Sequence, residues 1–314
     1  MEKFLFLPED YNYFLSRIYL KGLLKVSYDP KLVIALVQKD IHLDYLEEAN
    51  SLLKRLLSDK LGSKNLFPEI VRLYLKVIEI KLSKGILSRE EAEEEILKLL
   101  PKAKDEEVLL EIYKKCKTLG FRKPLLITVE KLANLSRDST RWYKELYKLL
   151  IANRSYKKAL ETIDKLIFLS RSKKEKEELL REGIKLAVYL KRYDKAIYYS
   201  EILLRNFPIS YENVKTAIDL ALSRKDYNKA VQIALYAFRK TGKKEYFKRA
   251  VEIAMWGRKK GVVAYLLRVY GLKFLDDPEM AVFLLNTVRA IGNRNLAVTF
   301  AKKAFSIYGM NNEK

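Results

Sequence analysis

Apolar residues recur along the chain at three- and four-residue spacing, as in Ile70, Leu73, Tyr74, Val77 and Ile80. That period places them on one face of a helix, and no stretch shows the alternation of two that a strand needs. Start and stop signals predict helices over 9–25, 30–39 and 43–58, broken at Tyr28-Asp29-Pro30 and at Ile41-His42. Two helical hairpins follow: 68–83 with 89–100 around Lys84-Gly85, and 105–119 with 123–135 around Gly120 and Pro124. Only 11 Gly and 7 Pro punctuate 314 residues, too few for the turns of an all-β fold. The pattern predicts an all-α protein.

One bend returns at a nearly fixed interval. Ser155-Tyr156-Lys157-Lys158-Ala159, Arg192-Tyr193-Asp194-Lys195-Ala196 and Asp226-Tyr227-Asn228-Lys229-Ala230 are three copies, and alignment on the alanine adds Ala264 and Ala297, at intervals of 37, 34, 34 and 33 residues. A unit of this length cannot bury its apolar face alone, so neighbours must stack and share a core. The alanine lets two helices approach closely, and the tyrosine wedges between the helices of one hairpin.

These residues resemble the tetratricopeptide repeat. Residues 191–208, KRYDKAIYYSEILLRNFP, resemble the second half of its consensus, with Tyr193 the turn aromatic, Ala196 the small contact residue and Pro208 the terminal proline. Trp142, Tyr143 and Leu146 stand near the family's tryptophan-leucine spacing, with Trp142 one place early. The resemblance is clearest over 140–309. It implies a right-handed superhelical solenoid of stacked antiparallel helix pairs whose concave surface holds a partner. The expected organisation is an atypical helical N-terminal cap over 1–66, degenerate hairpin repeats over 67–139 and tetratricopeptide-like repeats over 140–314, one continuous solenoid.

Charge is uneven along this framework. Residues 1–100 hold 16 Lys and Arg against 16 Asp and Glu, so the formal net charge of +22 lies entirely in 101–314. A field of that sign attracts acidic proteins, nucleic acid or anionic membrane. Counting the alanine as the twentieth repeat position, the fifth falls on Lys144, Arg181, Lys215 and Arg249, all basic. In the family this position faces the groove, as do the second, ninth, twelfth and thirteenth. The resemblance thus adds Arg141, Lys148, Lys185, Tyr189, Tyr246, Trp256, Asn286 and Arg289 to the expected lining, against Glu178, Glu212, Asp219 and Glu279. The family's carboxylate clamp is not expected, because its asparagine position holds Lys148, Lys185, Asp219, Ile253 and Asn286. Two further basic series mark the edges: Arg154, Lys191, Lys225 and Lys259 at the turns, and Arg205, Arg239 and Lys273 at helix ends, where cations complement the helix dipole.

Catalytic chemistry has little to work with. His42 is the one histidine, Cys116 the one cysteine, and the run Glu90-Glu91 to Glu93-Glu94-Glu95 reads as the acidic start of a solvated helix. The sequence has no glycine-rich phosphate loop and no nucleophile elbow. The expectation is a non-catalytic interaction scaffold without metal or cofactor, its basic groove holding an acidic or extended segment of another protein. The alternative is RNA or single-stranded DNA binding on the same cationic surface, and a third reading is peripheral docking on an anionic membrane. The apolar run at Met1 to Leu7 is too short for a signal-peptide core, and no stretch reaches the ~20 apolar residues of a membrane span. A cytoplasmic location is expected. Glutamine occurs only at Gln38 and Gln232 among many Lys and Glu, a bias of thermophile proteins.

Overall fold

The computed structural model describes residues 8–58 and 64–309, so the run at Met1 to Leu7 lies outside the described residues. Among them are seventeen α-helices, two short 3-10 helices and no strand, the all-α class that the periodicity predicts. The chain divides into two compact units, Met1–Ser155 and Tyr156–Lys314.

The first unit contains α1 (Pro8–Val26), α2 (Pro30–His42), α3 (Leu46–Ser58), a 3-10 turn (Lys64–Leu66), α4 (Phe67–Ser83), α5 (Arg89–Leu99), α6 (Glu106–Leu119), α7 (Arg122–Leu135) and α8 (Ser139–Ala152). Local chemistry sets these bounds. Asp29 accepts a hydrogen bond from the Lys31 amide at the start of α2, where Pro30 occupies the first turn. Ser88 and Glu91 form a reciprocal capping box at α5, and Gly120 ends α6 in the left-handed conformation. Most helices here pack on their chain neighbours, while α5 and α6 both pack on α4 and α7. Val33, Val37, Leu53, Val71, Ile96, Ile112, Val129 and Leu132 fill the shared core.

The two ends of this unit differ from that pattern in opposite ways. The ring of Tyr113 in α6 meets Trp142 in α8 edge to face at 4.9 Å, so Trp142 is a core residue of the first unit. Among its described side chains helix α1 buries only Arg17, which pairs with Asp40 of α2 and stacks over Tyr45 at 3.8 Å. Its outward face carries Tyr11, Leu15, Ile18 and Tyr19, all exposed, where a helix meeting water would carry polar residues.

The second unit runs α9 (Tyr156–Leu169), α10 (Lys173–Tyr189), α11 (Tyr193–Asn206), α12 (Tyr211–Ser223), α13 (Tyr227–Thr241), α14 (Lys244–Trp256), α15 (Lys260–Tyr270), a 3-10 turn (Gly271–Phe274), α16 (Pro278–Ile291) and α17 (Arg294–Tyr308). From α10 onward these form four hairpins, α10 with α11 through α16 with α17. Ala159, Ala196 and Ala230 are fully buried, and Tyr156, Tyr193 and Tyr227 are half-buried, as the repeated bend predicts.

The turns correct the register of one copy, the fourth. Arg154, Lys191, Lys225 and Arg258 all adopt the left-handed conformation, at φ between 55° and 59°. At each, the following amide reaches back to the helix, as Arg192 does to the Ala187 carbonyl at 2.7 Å and Lys259 to the Ala254 carbonyl at 2.9 Å. This is the Schellman closure, which satisfies the last carbonyls of the first helix. The turn series therefore ends on Arg258, and Lys259 is instead the cap residue of α15. Counted from these turns, the residue equivalent to Ala230 is the fully buried Val263, not the half-buried Ala264. Two small residues stand side by side there, and burial chooses the one that the alignment on alanine passed over.

Candidate functional site

The one-residue correction changes which side chains share a face of α14. At the fifth position Lys248 replaces Arg249, so the basic series becomes Lys144, Arg181, Lys215 and Lys248. The second and ninth positions become Glu245 and Glu252 in place of Tyr246 and Ile253. Tyr246 is accordingly buried in the core with Phe247, Val251 and Met280 instead of being presented for stacking. Burial, and then the Glu245 carboxylate, pushes its phenol above the ordinary value. Trp256 moves to the thirteenth position, the same as Tyr189, and both are exposed at the last residue of a first helix.

First helices α12, α14 and α16 enclose a cleft of about 480 Å³. Val214, Ile218, Tyr246 and Met280 make its floor, because the apolar stripe of each helix turns toward its neighbour. Its walls carry Lys215, Lys244, Lys248 and Arg249 against Asp219, Glu245, Glu252 and Glu279, four of each sign. Most of these cations are already matched. Lys248 meets Glu279 at 3.1 Å, Arg249 meets Glu252 at 3.4 Å, and Lys244 pairs with Asp277, holding that carboxyl below its usual range. Arg249 also stacks over the Trp256 ring at 4.6 Å. Lys215 makes no ion pair among the described residues.

A second, smaller cleft of about 200 Å³ lies on α10, α11 and α12, lined by Arg181, Lys185, Ser200, Asn213 and Thr216 over Ile184 and Leu203. Arg181 is paired with Glu177 at 2.8 Å, while Lys185 is exposed. Asn213 is buried, and its side-chain Nδ2 has no hydrogen-bond partner among the described residues.

The remaining expected residues fall elsewhere. Asn286 and Arg289 are exposed on α16 but outside the cleft, to which that helix contributes Glu279 and Met280. Tyr189 leans edge to face on Tyr156 at 5.1 Å. In the first unit, Arg141, Lys144 and Lys148 are exposed along one face of α8, with Arg141 over Trp142 at 5.2 Å. Sequence reasoning missed Glu245 and Glu252 because of the register slip, and missed Asn213 because the third position carries no groove signal. With Asp219 and Glu279, Glu245 and Glu252 balance the four cations of the cleft.

No family model matches the chain, and no curated protein is similar to it. Solved structures that match the chain include YrrB, a tetratricopeptide repeat protein with an unusual peptide-binding site, at 13% identity over 66% of this chain and 97% of that one, TM-score 0.31. A tetratricopeptide repeat protein from Parabacteroides merdae gives 14% identity over 88% of this chain and 98% of that one, TM-score 0.27. A signal transduction ATPase with a tetratricopeptide repeat sensor, from Pyrococcus horikoshii, gives 14% identity, TM-score 0.29, with 99% of this chain matched to 51% of that one. At these scores the likeness carries nothing about function, and the fold stands on the helix order and turns described above.

Proposed function

We propose that this chain is a non-catalytic scaffold that holds an extended segment of a partner protein on the first helices of its second unit. The observation that supports this reading is the α12, α14 and α16 cleft, whose apolar floor is bordered by both signs of charge. A floor of Val214, Ile218, Tyr246 and Met280 rewards an apolar anchor residue, and desolvation of that anchor is the main source of affinity. Lys215 offers the one unmatched wall cation to an acidic neighbour of the anchor. Trp256 and Tyr189 supply exposed rings beside the clefts. The acidic character first expected of the segment is thereby reduced to one or two residues around an apolar one.

Nucleic-acid binding is the weaker reading at this site. Asp219, Glu245, Glu252 and Glu279 would face a phosphate backbone, and three of the four wall cations are already paired with carboxylates. The test is capture of partners from the source organism, with and without nuclease, by the wild-type chain and two double variants. Lys215→Glu with Trp256→Ala removes the cleft's reach, and Arg205→Glu with Arg239→Glu changes more charge at helix ends. Loss only in the cleft variant, insensitive to nuclease, is the expected outcome. Equal loss in both variants, or capture abolished by nuclease, sinks the reading.

A further inference from the structure

The outward face of α1 is apolar from Tyr11 to Val26, and its residues are spaced in a particular way. Tyr11, Leu15, Ile18, Tyr19, Gly22 and Val26 are all exposed and form one stripe, while Arg17 on the opposite face is tied to Asp40. The successive intervals are 4, 3, 1, 3 and 4 residues, so the stripe reads the same from either end. Gly22 has open space where a side chain would stand, with nothing within 4 Å. A glycine in a helix interior costs stability relative to alanine, and space around it in the monomer gives no reason internal to this fold for that cost.

We infer that α1 is a dimerisation helix, and that its partner is a second copy of this chain packed antiparallel about a two-fold axis between Ile18 and Tyr19. An isologous contact requires a surface complementary to itself; a parallel pair would set Gly22 against Gly22 and Tyr19 against Tyr19, whereas the antiparallel pair sets each stripe residue against a different one of the same stripe. Residue 11 then faces 26 of the other copy, 15 faces 22, and 18 faces 19. Leu15 enters the space left by Gly22, the Tyr19 ring covers Ile18, and Tyr11 packs against Val26. In each pair the bulkier residue thus meets a smaller one, as interdigitated helices require. Lys21 and Lys25 border the stripe and remain at the wet rim, where charged side chains are tolerated. The exposed apolar area is on the order of 500 Å² per copy, at the top of what monomers leave open and near what a standard dimer buries from each partner once the rim is added.

Sedimentation velocity of the full chain at micromolar concentration tests this directly. The expected mass is twice the chain's 36.8 kDa. Ile18→Asp, an exposed position, should return it to a monomer of unchanged helicity. Gly22→Leu separates the interface from the fold: with open space around it the monomer should melt higher, while the dimer should weaken at least tenfold because Leu15 loses its seat. Single cysteines give the register, since Cys116 is fully buried and does not compete. Ile18→Cys should cross-link two chains under mild oxidation, whereas Tyr11→Cys, placed opposite Val26, should not. A monomeric wild type, a dimer indifferent to Ile18→Asp, or equal cross-linking at residues 11 and 18 would each overturn the proposal, the last by indicating a parallel pair.

Discussion

The ring of Tyr199 occupies the space that a side chain at residue 183 would need: a Cβ on Gly183 would lie 2.8 Å from one ring carbon and 3.0 Å from the next. The ring is not free to retreat, because its hydroxyl donates to Asp164, which is also paired with Lys195. One glycine thus lets the first helix of a hairpin, α10, press against the second, α11.

Gly183→Ala should therefore destabilise the protein, against the usual direction for a helical glycine. Alanine gains about 1 kcal/mol of helix propensity, but overpacking in a filled core costs typically 1–3 kcal/mol. Urea denaturation should show a net loss of about 1 kcal/mol. A gain would mean that Tyr199 can move aside.

The left-handed turns make a second prediction that separates conformation from charge. Lys225→Gly and Lys225→Val remove the same cation from an exposed position at φ 59°. Glycine relieves strain there, whereas a β-branched residue meets its least favourable conformation. The valine variant should be less stable than the glycine variant by about 1–2 kcal/mol in thermal or chemical unfolding, although their charges are identical.

Register can be checked by substitution at two alanines that the sequence treats alike. Ala196 is fully buried and Ala264 only half-buried. Ala196→Leu should cost about 1–3 kcal/mol by overpacking, and Ala264→Leu distinctly less. Equal costs would restore the alignment on Ala264 and undo the correction to Val263.

Acid stability should carry the mark of one carboxylate in the first unit. Burial alone would raise Glu95, but the Tyr74 hydroxyl, Lys54 at 3.0 Å and Lys98 at 3.1 Å all favour its charged form and hold it at about 2 rather than 4.5. A depressed folded value stabilises the fold above the unfolded value, and that contribution is lost as pH falls from 4.5 toward 2. Glu95→Gln should lower stability at neutral pH and flatten the pH dependence across this window in parallel unfolding titrations. An unchanged slope would show that Glu95 is not the group responsible.

Helix class and most helix bounds were legible in the sequence because they depend on local chemistry. The period of apolar residues, the Asp29-Pro30 start of α2, the Ser88 and Glu91 capping box and the Gly120 stop act within a few residues of themselves. The repeat was legible for the same reason, since Tyr193 and Ala196 mark a bend of fixed geometry. Tertiary structure alone decided the phase of the fourth copy: Val263 and Ala264 are both small enough for the helix contact, and only packing shows which one enters it. That single step moved Tyr246 into the core and brought Glu245 and Glu252 to the cleft, so a groove that composition makes basic is locally balanced. The face of α1 was undecided for a related reason. Its apolar residues run around the helix, and the partners taken by Arg17 and Asp40 are what turn Tyr11, Leu15, Ile18 and Tyr19 outward.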